Sequence, residues 1–234
     1  MTTDSARTET PTGAPLNTPP AGPAGAADLL PGPVPLSRHV TFAVLLSSTL
    51  AWDLYSKWWA FTTLGYPYHP SEWSWTTPFL WGRVRVQLFT SFNQGALWGL
   101  GQGYGWLFCL LSLGAVGLVV YWLFIRRAAH NWWLTICLAL IASGALGNLY
   151  DRLYLHGSMA VNPRTGQLEP MLGVRDFLDF KIPAIEYRWP FHFALLEHWQ
   201  WPIFNFADAF LVTGAIMLML HALFTREPER AMTQ

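Results

Sequence analysis

Three aspartates stand out in this chain because they fall inside long apolar stretches. They are Asp53, Asp151 and Asp208. An ionisable side chain at membrane depth costs about 2.5 to 3.5 kcal/mol on insertion scales, and such groups usually mark a functional path. The chemistry open to these carboxylates is proton transfer, either along a relay or in acid–base catalysis.

Structural roles compete with functional ones at these positions. Asp53 is expected to pair with Arg152 or to cap neighbouring backbone, because buried polar groups are mostly hydrogen-bonded. Asp208 has Asn205 beside it and no basic residue within a turn, which favours a functional role. Lys57 is expected to snorkel to the outer interface.

Two other chemistries do not fit the spacing of their residues. A zinc-dependent intramembrane protease needs His-Glu-x-x-His on a helix, whereas His192, Glu197 and His198 have a different spacing. Ser56 and Lys57 are adjacent, so their side chains point about 100° apart on a helix and form a poor dyad. We therefore expect neither a metal nor a serine–lysine pair.

The composition indicates lipid rather than water as the surrounding medium. Of the 234 residues, 52% are apolar, 16% are aromatic and 12% are charged, whereas a soluble protein has about 25% charged residues. Fourteen Lys and Arg balance fourteen Asp and Glu, which argues against nucleic-acid binding. Cys109 and Cys137 lie in apolar runs without metal-type spacing, which excludes a disulfide framework and a thiolate zinc cluster.

Four apolar segments are long enough to span a bilayer, which takes about 20 residues as a helix. They cover roughly residues 40–60, 105–125, 132–151 and 203–224. The sequence therefore predicts an all-α integral membrane protein with four transmembrane helices. Residues 83–92 begin with alternating polar and apolar side chains, which predicts a strand in a small external β-sheet. Residues 180–201 mix aromatic and polar side chains, which is typical of an interfacial segment.

The basic residues predict the orientation, because short basic loops stay in the cytoplasm. Such residues occupy the short loop between the second and third helices and flank the first and fourth: Arg38, Arg126, Arg127, His130 and Arg226. Both termini are therefore expected in the cytoplasm. The long loops 61–104 and 152–202 are expected outside.

The two ends of the chain differ from the membrane domain, which is expected over residues 38–225. Residues 1–37 are rich in Pro, Ala, Gly and Thr, which predicts a disordered cytoplasmic tail. This segment lacks the apolar centre of a secretory signal peptide, so we expect it to stay on the protein. Residues 226–234 are expected to form a short cytoplasmic tail.

In this orientation the polar side chains of the helices lie at one depth, near the outer surface. Positions three and four apart share a helix face, so the third helix has one polar stripe: Gly144, Asn148, Asp151 and Arg152. The fourth helix opens with a second stripe, Asn205 and Asp208. Both stripes can face the bundle interior. Ser143 and Gly147 form a small-xxx-small step, which predicts close helix packing.

Five short sequence motifs occur at defined places relative to the four predicted helices. They are Asp53-Leu-Tyr-Ser-Lys57, Asn93-Gln-Gly-Ala-Leu-Trp-Gly99, Gly144-Ala-Leu-Gly-Asn-Leu-Tyr-Asp-Arg152, Val174-Arg-Asp-Phe177 and Phe204-Asn-Phe-Ala-Asp208. In this order they closely resemble the bacterial lipoprotein signal peptidase family, signal peptidase II. The resemblance covers about residues 40–224.

The resemblance implies an aspartyl endopeptidase of the bacterial inner membrane, with its active site at the outer face. It would remove the signal peptide of prolipoproteins, cutting before the cysteine that carries a diacylglyceryl group, without a cofactor. The catalytic pair of the family falls on Asp176 and Asp208. Positions that line or support the site fall on Asp53, Asn93, Gly144, Asn148, Asp151, Arg152, Asn205 and Ala207. We expect a monomer whose partners are prolipoproteins and membrane lipid.

Two features depart from the family pattern. Arg175 precedes the catalytic aspartate where an apolar residue is usual, and residues 156–173 and 180–201 are longer than the family norm. Neighbouring side chains of an extended segment point to opposite faces, so Arg175 is expected to point away from the site. Asp179 could reach the same side as Asp176 if the segment were helical, so the choice between them rests on the family motif.

Paired carboxylates suit peptide hydrolysis, because two close carboxylates cannot both ionise and so share one proton. One can activate water while the other protonates the oxyanion and the leaving amine. Two alternatives remain: a proton-coupled four-helix transporter or channel, and a non-catalytic membrane assembly subunit. A transporter should have broken helices near the midplane, whereas these polar groups gather at one face. A cleavage assay separates all three.

Overall fold

The computed structural model describes residues 32–65, 70–77, 84–95, 103–161, 166–181 and 201–225. The helices and strands of the described residues all belong to one unit of the chain, Pro33–Gln234. Several predictions fall largely outside these residues. They concern the two terminal tails and the interfacial segment 180–201, which includes His192, Glu197 and His198.

Four α-helices make up most of the chain that the structure describes: α1 (Leu36–Leu64), α2 (Gly105–Val120), α3 (Trp132–Arg152) and α4 (Phe206–Phe224). α2 continues as a π-helical turn over Tyr121–Ile125. Within the described ranges, three helical segments are long and apolar enough to cross a membrane: 105–125, 132–152 and 206–224. α1 has 29 residues but is not among them. Three of the four predicted spans therefore have this character.

α3 is the central helix and packs against α1, α2 and α4. Small residues fill much of its buried surface, among them Ser143, Gly144 and Gly147. A Cβ on Gly144 would collide with the backbone oxygen of Ala207, and a Cβ on Gly147 would collide with the carboxylate of Asp53. These residues therefore bring α1 and α4 close to α3, as the small-xxx-small step predicted.

The connection between α2 and α3 shows why α3 begins where it does. Arg127 adopts a left-handed conformation with φ 59°, and a single 3₁₀ turn, Ala128–His130, follows it. The side-chain oxygen of Asn131 then accepts hydrogen bonds from the backbone N–H groups of Trp133 (2.8 Å) and Leu134 (3.3 Å). An N-cap asparagine thus satisfies donors that have no partner inside the helix.

The described residues also form five strands: β1 (Pro70–Thr77), β2 (Val84–Asn93), β3 (Met159–Val161), β4 (Leu168–Pro170) and β5 (Val174–Lys181). β1, β2 and β5 form an antiparallel sheet in that order, and β3 pairs with β4. β2 confirms the strand that the alternating polarity of residues 83–92 predicted. Ser91 lies opposite Asp176 in the pairing of β2 with β5. The β3–β4 hairpin was not predicted and lies within the long stretch 156–173.

Candidate active site

The first turn of α4 holds Asp208 in a capping box. Asn205 is the N-cap, and its side-chain oxygen accepts from the N–H of Asp208 at 3.1 Å. In return, Asp208 Oδ2 accepts from the N–H of Asn205 at 3.3 Å. A polar N-cap with an acidic residue three positions later favours this reciprocal arrangement, and a helix N-terminus stabilises negative charge. The local sequence therefore fixes the start of α4 and the direction of the Asp208 carboxylate together.

β5 holds Asp176 next to the start of α4. One edge of β5 pairs with β2, and Phe204 bridges to the other edge. The Phe204 carbonyl accepts from the N–H groups of Phe177 (3.1 Å) and Leu178 (2.8 Å). Phe204 immediately precedes the N-cap Asn205. This bridge brings together two segments that are far apart in the sequence.

A glycine permits the close approach of β5 to β2. Gly173 has φ 134°, and a Cβ at this position would lie 2.9 Å from the backbone oxygen of Asn93. L side chains rarely adopt such a conformation, whereas glycine adopts it readily. Asn93 lies opposite Val174 in the sheet and hydrogen-bonds the Asp176 carboxylate with its side chain.

Two asparagine side chains connect the two candidate catalytic aspartates. Asn205 Nδ2 donates to Asp176 Oδ1 at 2.6 Å, and Asn148 Nδ2 donates to Asp208 Oδ1 at 2.8 Å. The asparagines also contact each other, since Asn205 Nδ2 lies 3.4 Å from Asn148 Oδ1. The structure thus brings Asp176 and Asp208 into one hydrogen-bond network with residues that the sequence placed on the two polar stripes.

Asp176 is held in surroundings that favour its protonated form. Only 2% of this residue is exposed. Burial, and secondarily the negative charge of Asp208, raise the pKa of Asp176 from 3.8 to about 8, against the opposing effects of the Asn205 and Asn93 hydrogen bonds. A carboxyl group in this state can donate a proton at neutral pH.

Asp53 and Lys57 form a buried ion pair, which corrects two predictions. Lys57 Nζ lies 2.8 Å from Asp53 Oδ2, and both side chains are almost completely buried. Asp53 therefore does not pair with Arg152, and Lys57 does not snorkel to the interface. The predicted capping role of Asp53 is present, because its Oδ1 accepts from the backbone N–H of Ala207 at 2.7 Å. The i,i+4 spacing within Asp53-Leu-Tyr-Ser-Lys57 was the signal for this pair.

Asp151 is surrounded by cations from two other elements. Lys57 Nζ lies 3.1 Å from Asp151 Oδ2. Arg175 Nε donates to Asp151 Oδ1 at 2.9 Å, and the Arg175 backbone N–H donates to Oδ2 at 3.1 Å. The Arg175 side chain points away from Asp176, as expected for a strand. These contacts fit the supporting role that the family resemblance implied for Asp151, and its ionic partners are Lys57 and Arg175.

Asp179 lies on the opposite face of β5 from Asp176. The segment is a strand, so side chains three positions apart point to opposite faces. Asp179 Oδ2 accepts instead from Gln87 Nε2 of β2 at 2.5 Å. Asp179 was expected to reach the same side as Asp176 only if this segment were helical, and the segment is a strand.

Arg152 joins the end of α3 to the neighbouring loop and to α2. Its Nη2 donates to the backbone oxygen of Gly95 at 3.3 Å, and its guanidinium carbon lies 5.0 Å from the centre of the Phe108 ring. A cation over an aromatic face is stabilised by the ring quadrupole. Asp53 pairs with Lys57 and not with Arg152. The positive charge of Arg152 lies close enough to Asp208 to interact with it.

A cavity of about 630 Å³ lies between α2 and α4. Its polar lining includes Asn148, Arg152 and Asp208. Its apolar lining comes from both helices and from the segment before α4: Leu111, Ala115, Trp201, Pro202, Ile203, Leu211 and Val212. Asp208 of the candidate pair therefore lines a cavity whose walls are mainly apolar.

The chain is similar in sequence to bacterial lipoprotein signal peptidases. The family model described as signal peptidase (SPase) II matches residues 45–224. A lipoprotein signal peptidase of Rhodopirellula baltica is 35% identical over 188 residues, which are 80% of this chain and 74% of that protein. One from Pseudomonas fluorescens is 36% identical over 135 residues, and the match spans 56% of this chain and 61% of that protein.

Solved structures resemble the fold. A bacterial membrane enzyme determined by the in meso method at 2.3 Å resolution has a TM-score of 0.56 and 24% identity, covering 81% of this chain and 93% of that one. A second, at 1.9 Å resolution, has a TM-score of 0.53 and 24% identity, covering 80% and 94%.

Proposed function

The chain belongs to the signal peptidase II family, and we propose that it removes signal peptides from prolipoproteins with Asp176 and Asp208 as its catalytic pair. The observation that carries the assignment of the pair is the network through Asn205. This residue caps the helix that bears Asp208 and donates its amide to Asp176. The transporter and assembly-subunit alternatives are not favoured by the family.

In the proposed reaction the two carboxyl groups share one proton. Asp176 holds that proton, because burial and the charge of Asp208 raise its pKa to about 8. Asp208, as the carboxylate, takes a proton from the attacking water while Asp176 donates its proton to the carbonyl oxygen. The tetrahedral intermediate is then a neutral gem-diol. As it collapses, one of its hydroxyl groups returns a proton to Asp176 and becomes the carbonyl, and the C–N bond breaks. The amine leaves with a proton from the newly protonated Asp208, and the pair again holds one proton.

Asn205 and Asn148 keep the pair aligned in this proposal. Each donates an amide N–H to one oxygen of a carboxylate, and the Asn93 side chain also hydrogen-bonds the Asp176 carboxylate. Because both asparagines are themselves buried, their rotamers are fixed by packing. Preorganised hydrogen bonds of this kind cost no reorganisation during the reaction.

We infer that α1 is the fourth membrane span. Its buried polar residues, Asp53 and Lys57, face the other helices, so they lower its mean hydropathy without meeting lipid. Its exposed surface in the same region is aromatic: Trp52, Tyr55, Trp58 and Trp59. Aromatic belts of this kind are typical of membrane interfaces. With four spans both termini lie on the same side of the membrane, and the basic residues Arg126 and Arg127 support the cytoplasmic side. In this proposal the pair lies at the outer face of the inner membrane.

The cavity between α2 and α4 suits the substrate class. Its apolar walls can accept a signal peptide segment or an acyl chain, and Asp208 faces it. Arg152 at the same wall supplies a cation for polar groups of the substrate near the cleaved bond. The enzyme is proposed to act as a monomer on diacylglyceryl-modified precursors within the lipid bilayer.

The test is a cleavage assay with two forms of one precursor. Purified protein in lipid is incubated with a diacylglyceryl-modified prolipoprotein and with its unmodified form, and the products are identified by mass spectrometry. We expect cleavage before the modified cysteine and none of the unmodified form. Asp176→Asn protein is the control for contaminating peptidases. Equal cleavage of both forms would refute the proposed substrate class.

A further inference from the structure

Lys57 is the point at which three of the polar contacts behind the candidate pair meet. Its ammonium group lies 2.8 Å from Asp53 Oδ2 and 3.1 Å from Asp151 Oδ2. It also donates to Asn148 Oδ1 at 3.3 Å. The side chain is fully buried, so these three acceptors replace the water that a lysine normally binds.

The two carboxylates beside Lys57 each hold the backbone just before a catalytic aspartate. Asp53 Oδ1 accepts from the N–H of Ala207, which precedes Asp208. Asp151 Oδ2 accepts from the N–H of Arg175, which precedes Asp176. The Lys57 ammonium group is therefore linked through Asp53 to the backbone before Asp208, and through Asp151 to the backbone before Asp176.

The third contact reaches the pair through a side chain. Asn148 accepts from Lys57 with its oxygen and donates to Asp208 Oδ1 with its nitrogen at 2.8 Å. Because the oxygen of this amide is directed to Lys57, its NH₂ group is directed to the aspartate. Lys57, together with the Asn205 amide, thereby favours the orientation in which Asn148 is a donor to Asp208.

We propose that Lys57 is a positioning residue that sets the alignment of Asp176 and Asp208 by holding Asp53, Asp151 and Asn148 together. The role rests on the proposed function of the pair. Lys57 does not touch the reacting atoms. Its removal should therefore reduce the rate of the chemical step and leave substrate binding almost unchanged.

The positive charge of Lys57 adds to this geometric role. It acts on Asp176 in the direction opposite to burial and lowers the pKa of that carboxyl group. The charged groups close to Lys57 come from three elements: Asp53 of α1, Asp151 of α3 and Arg175 of β5. Two anions and two cations balance there, so a neutral residue at position 57 unbalances the cluster.

The first test variant is Lys57→Met, which keeps an unbranched side chain and removes the charge. It leaves Asp53 buried without its cation, so it is paired with the double variant Lys57→Met/Asp53→Asn. In the double variant the Asn oxygen can still accept from Ala207, and Asp151 keeps Arg175. The second variant thus restores the charge balance without restoring the ammonium contacts.

We expect both variants to lose at least about 100-fold in kcat on the lipidated precursor, with KM within about threefold of wild type. Thermal unfolding should show that the double variant is folded. Thr49→Val is the matched control. Thr49 lies about two turns from Lys57 on α1 and donates to Ser143 of α3 at 2.7 Å, so its loss changes a helix contact without touching the cluster and should leave kcat unchanged.

Separate outcomes overturn separate claims. If wild type cleaves the precursor and the folded double variant keeps kcat within about threefold, the positioning role is wrong and the function stands. A loss of kcat that only follows the loss of folded protein would also show a purely structural role. If the wild-type protein cleaves neither form of the precursor, the proposed function fails, and the role of Lys57 fails with it.

Discussion

Asp151 at the end of α3 is bound to Arg175 of β5 through both the side chain and the backbone of the arginine. Arg175 Nε and the Arg175 N–H donate to the two different oxygens of the carboxylate. The Asp151 side chain is fully buried. This ion pair attaches the strand that bears Asp176 to the central helix.

The first prediction concerns this ion pair. Asp151→Asn should lower the free energy of unfolding by about 3 to 5 kcal/mol, because Arg175 and Lys57 lose a shared buried anion. Thermal unfolding in detergent measures the change. Asp179→Asn is the matched control, since an asparagine oxygen can keep the hydrogen bond with Gln87. A variant at position 151 as stable as wild type would contradict the structural role.

The second prediction assigns the pair. Asp176→Asn and Asp208→Asn should each lose at least about 1,000-fold in turnover, because neither can exchange a proton as a carboxyl group can. Both should remain folded. Asp179→Asn should keep most of its turnover, since Asp179 lies on the other face of β5. An active, folded Asp176→Asn protein would move the catalytic role to another carboxylate.

The third prediction is the pH dependence of turnover. The proton on Asp176 is needed for donation, and its pKa is raised to about 8 by burial and by the charge of Asp208. The kcat should therefore fall as the pH rises through about 8. The measurement is kcat on the lipidated precursor at a series of pH values from below to above about 8. A constant rate across that range would remove Asp176 as the proton donor.

The fourth prediction is the pH dependence of stability. With a raised pKa, native Asp176 keeps a proton that the unfolded chain releases above its ordinary value of 3.8. Its contribution to stability therefore falls as pH rises from about 4 to about 8 and is constant above. Asp176→Asn removes this contribution, so the variant should gain stability relative to wild type as the pH rises through this window. Unfolding temperatures of both proteins at the two ends of the window test this.

The fifth prediction uses two glycines in different surroundings. A Cβ at Gly147 would collide with the Asp53 carboxylate and lie 3.1 Å from the Ala207 Cβ, whereas a Cβ at Gly114 of α2 would meet nothing within 4 Å. Gly147→Ala should therefore cost about 1 to 3 kcal/mol of stability and reduce turnover by displacing Asp53. Gly114→Ala should leave both nearly unchanged. Equal effects in thermal unfolding and turnover would contradict the packing described for α3.

Much of this arrangement could be predicted from local sequence. The polar stripe of α3 and the opening of α4 follow from positions three and four apart, which share a helix face. Asn148, Asn205 and Asp208 do meet, as that spacing predicted. The strand β2 follows from alternating polarity in the same way.

Other contacts between distant segments could not be predicted from the sequence. Lys57 near the end of an apolar helix suggests snorkelling when α1 is considered alone. Besides Asp53 of its own helix, two acceptors of α3, Asn148 and Asp151, contact its buried ammonium group, and they lie more than 90 residues away in the sequence. The bridge between Phe204 and β5 depends on backbone pairing, which has no signature in side-chain type. The Arg175 side chain points away from Asp176, as expected. Its partner, Asp151 of α3, could not be predicted because it lies 24 residues away on another element.

The two proposed catalytic residues differ in what else they do for the protein. Asp208 completes the capping box of α4 and accepts hydrogen bonds from the Asn148 side chain and the Asn205 backbone. An asparagine there would turn its NH₂ group toward one of these donors. At position 176 an asparagine changes the contact with Asn93, but its oxygen can still accept from Asn205, and it carries no charge to bury and leaves the capping box of α4 intact. Asp176→Asn is therefore the better inactive form for trapping an uncleaved precursor on the enzyme and determining the structure of that complex.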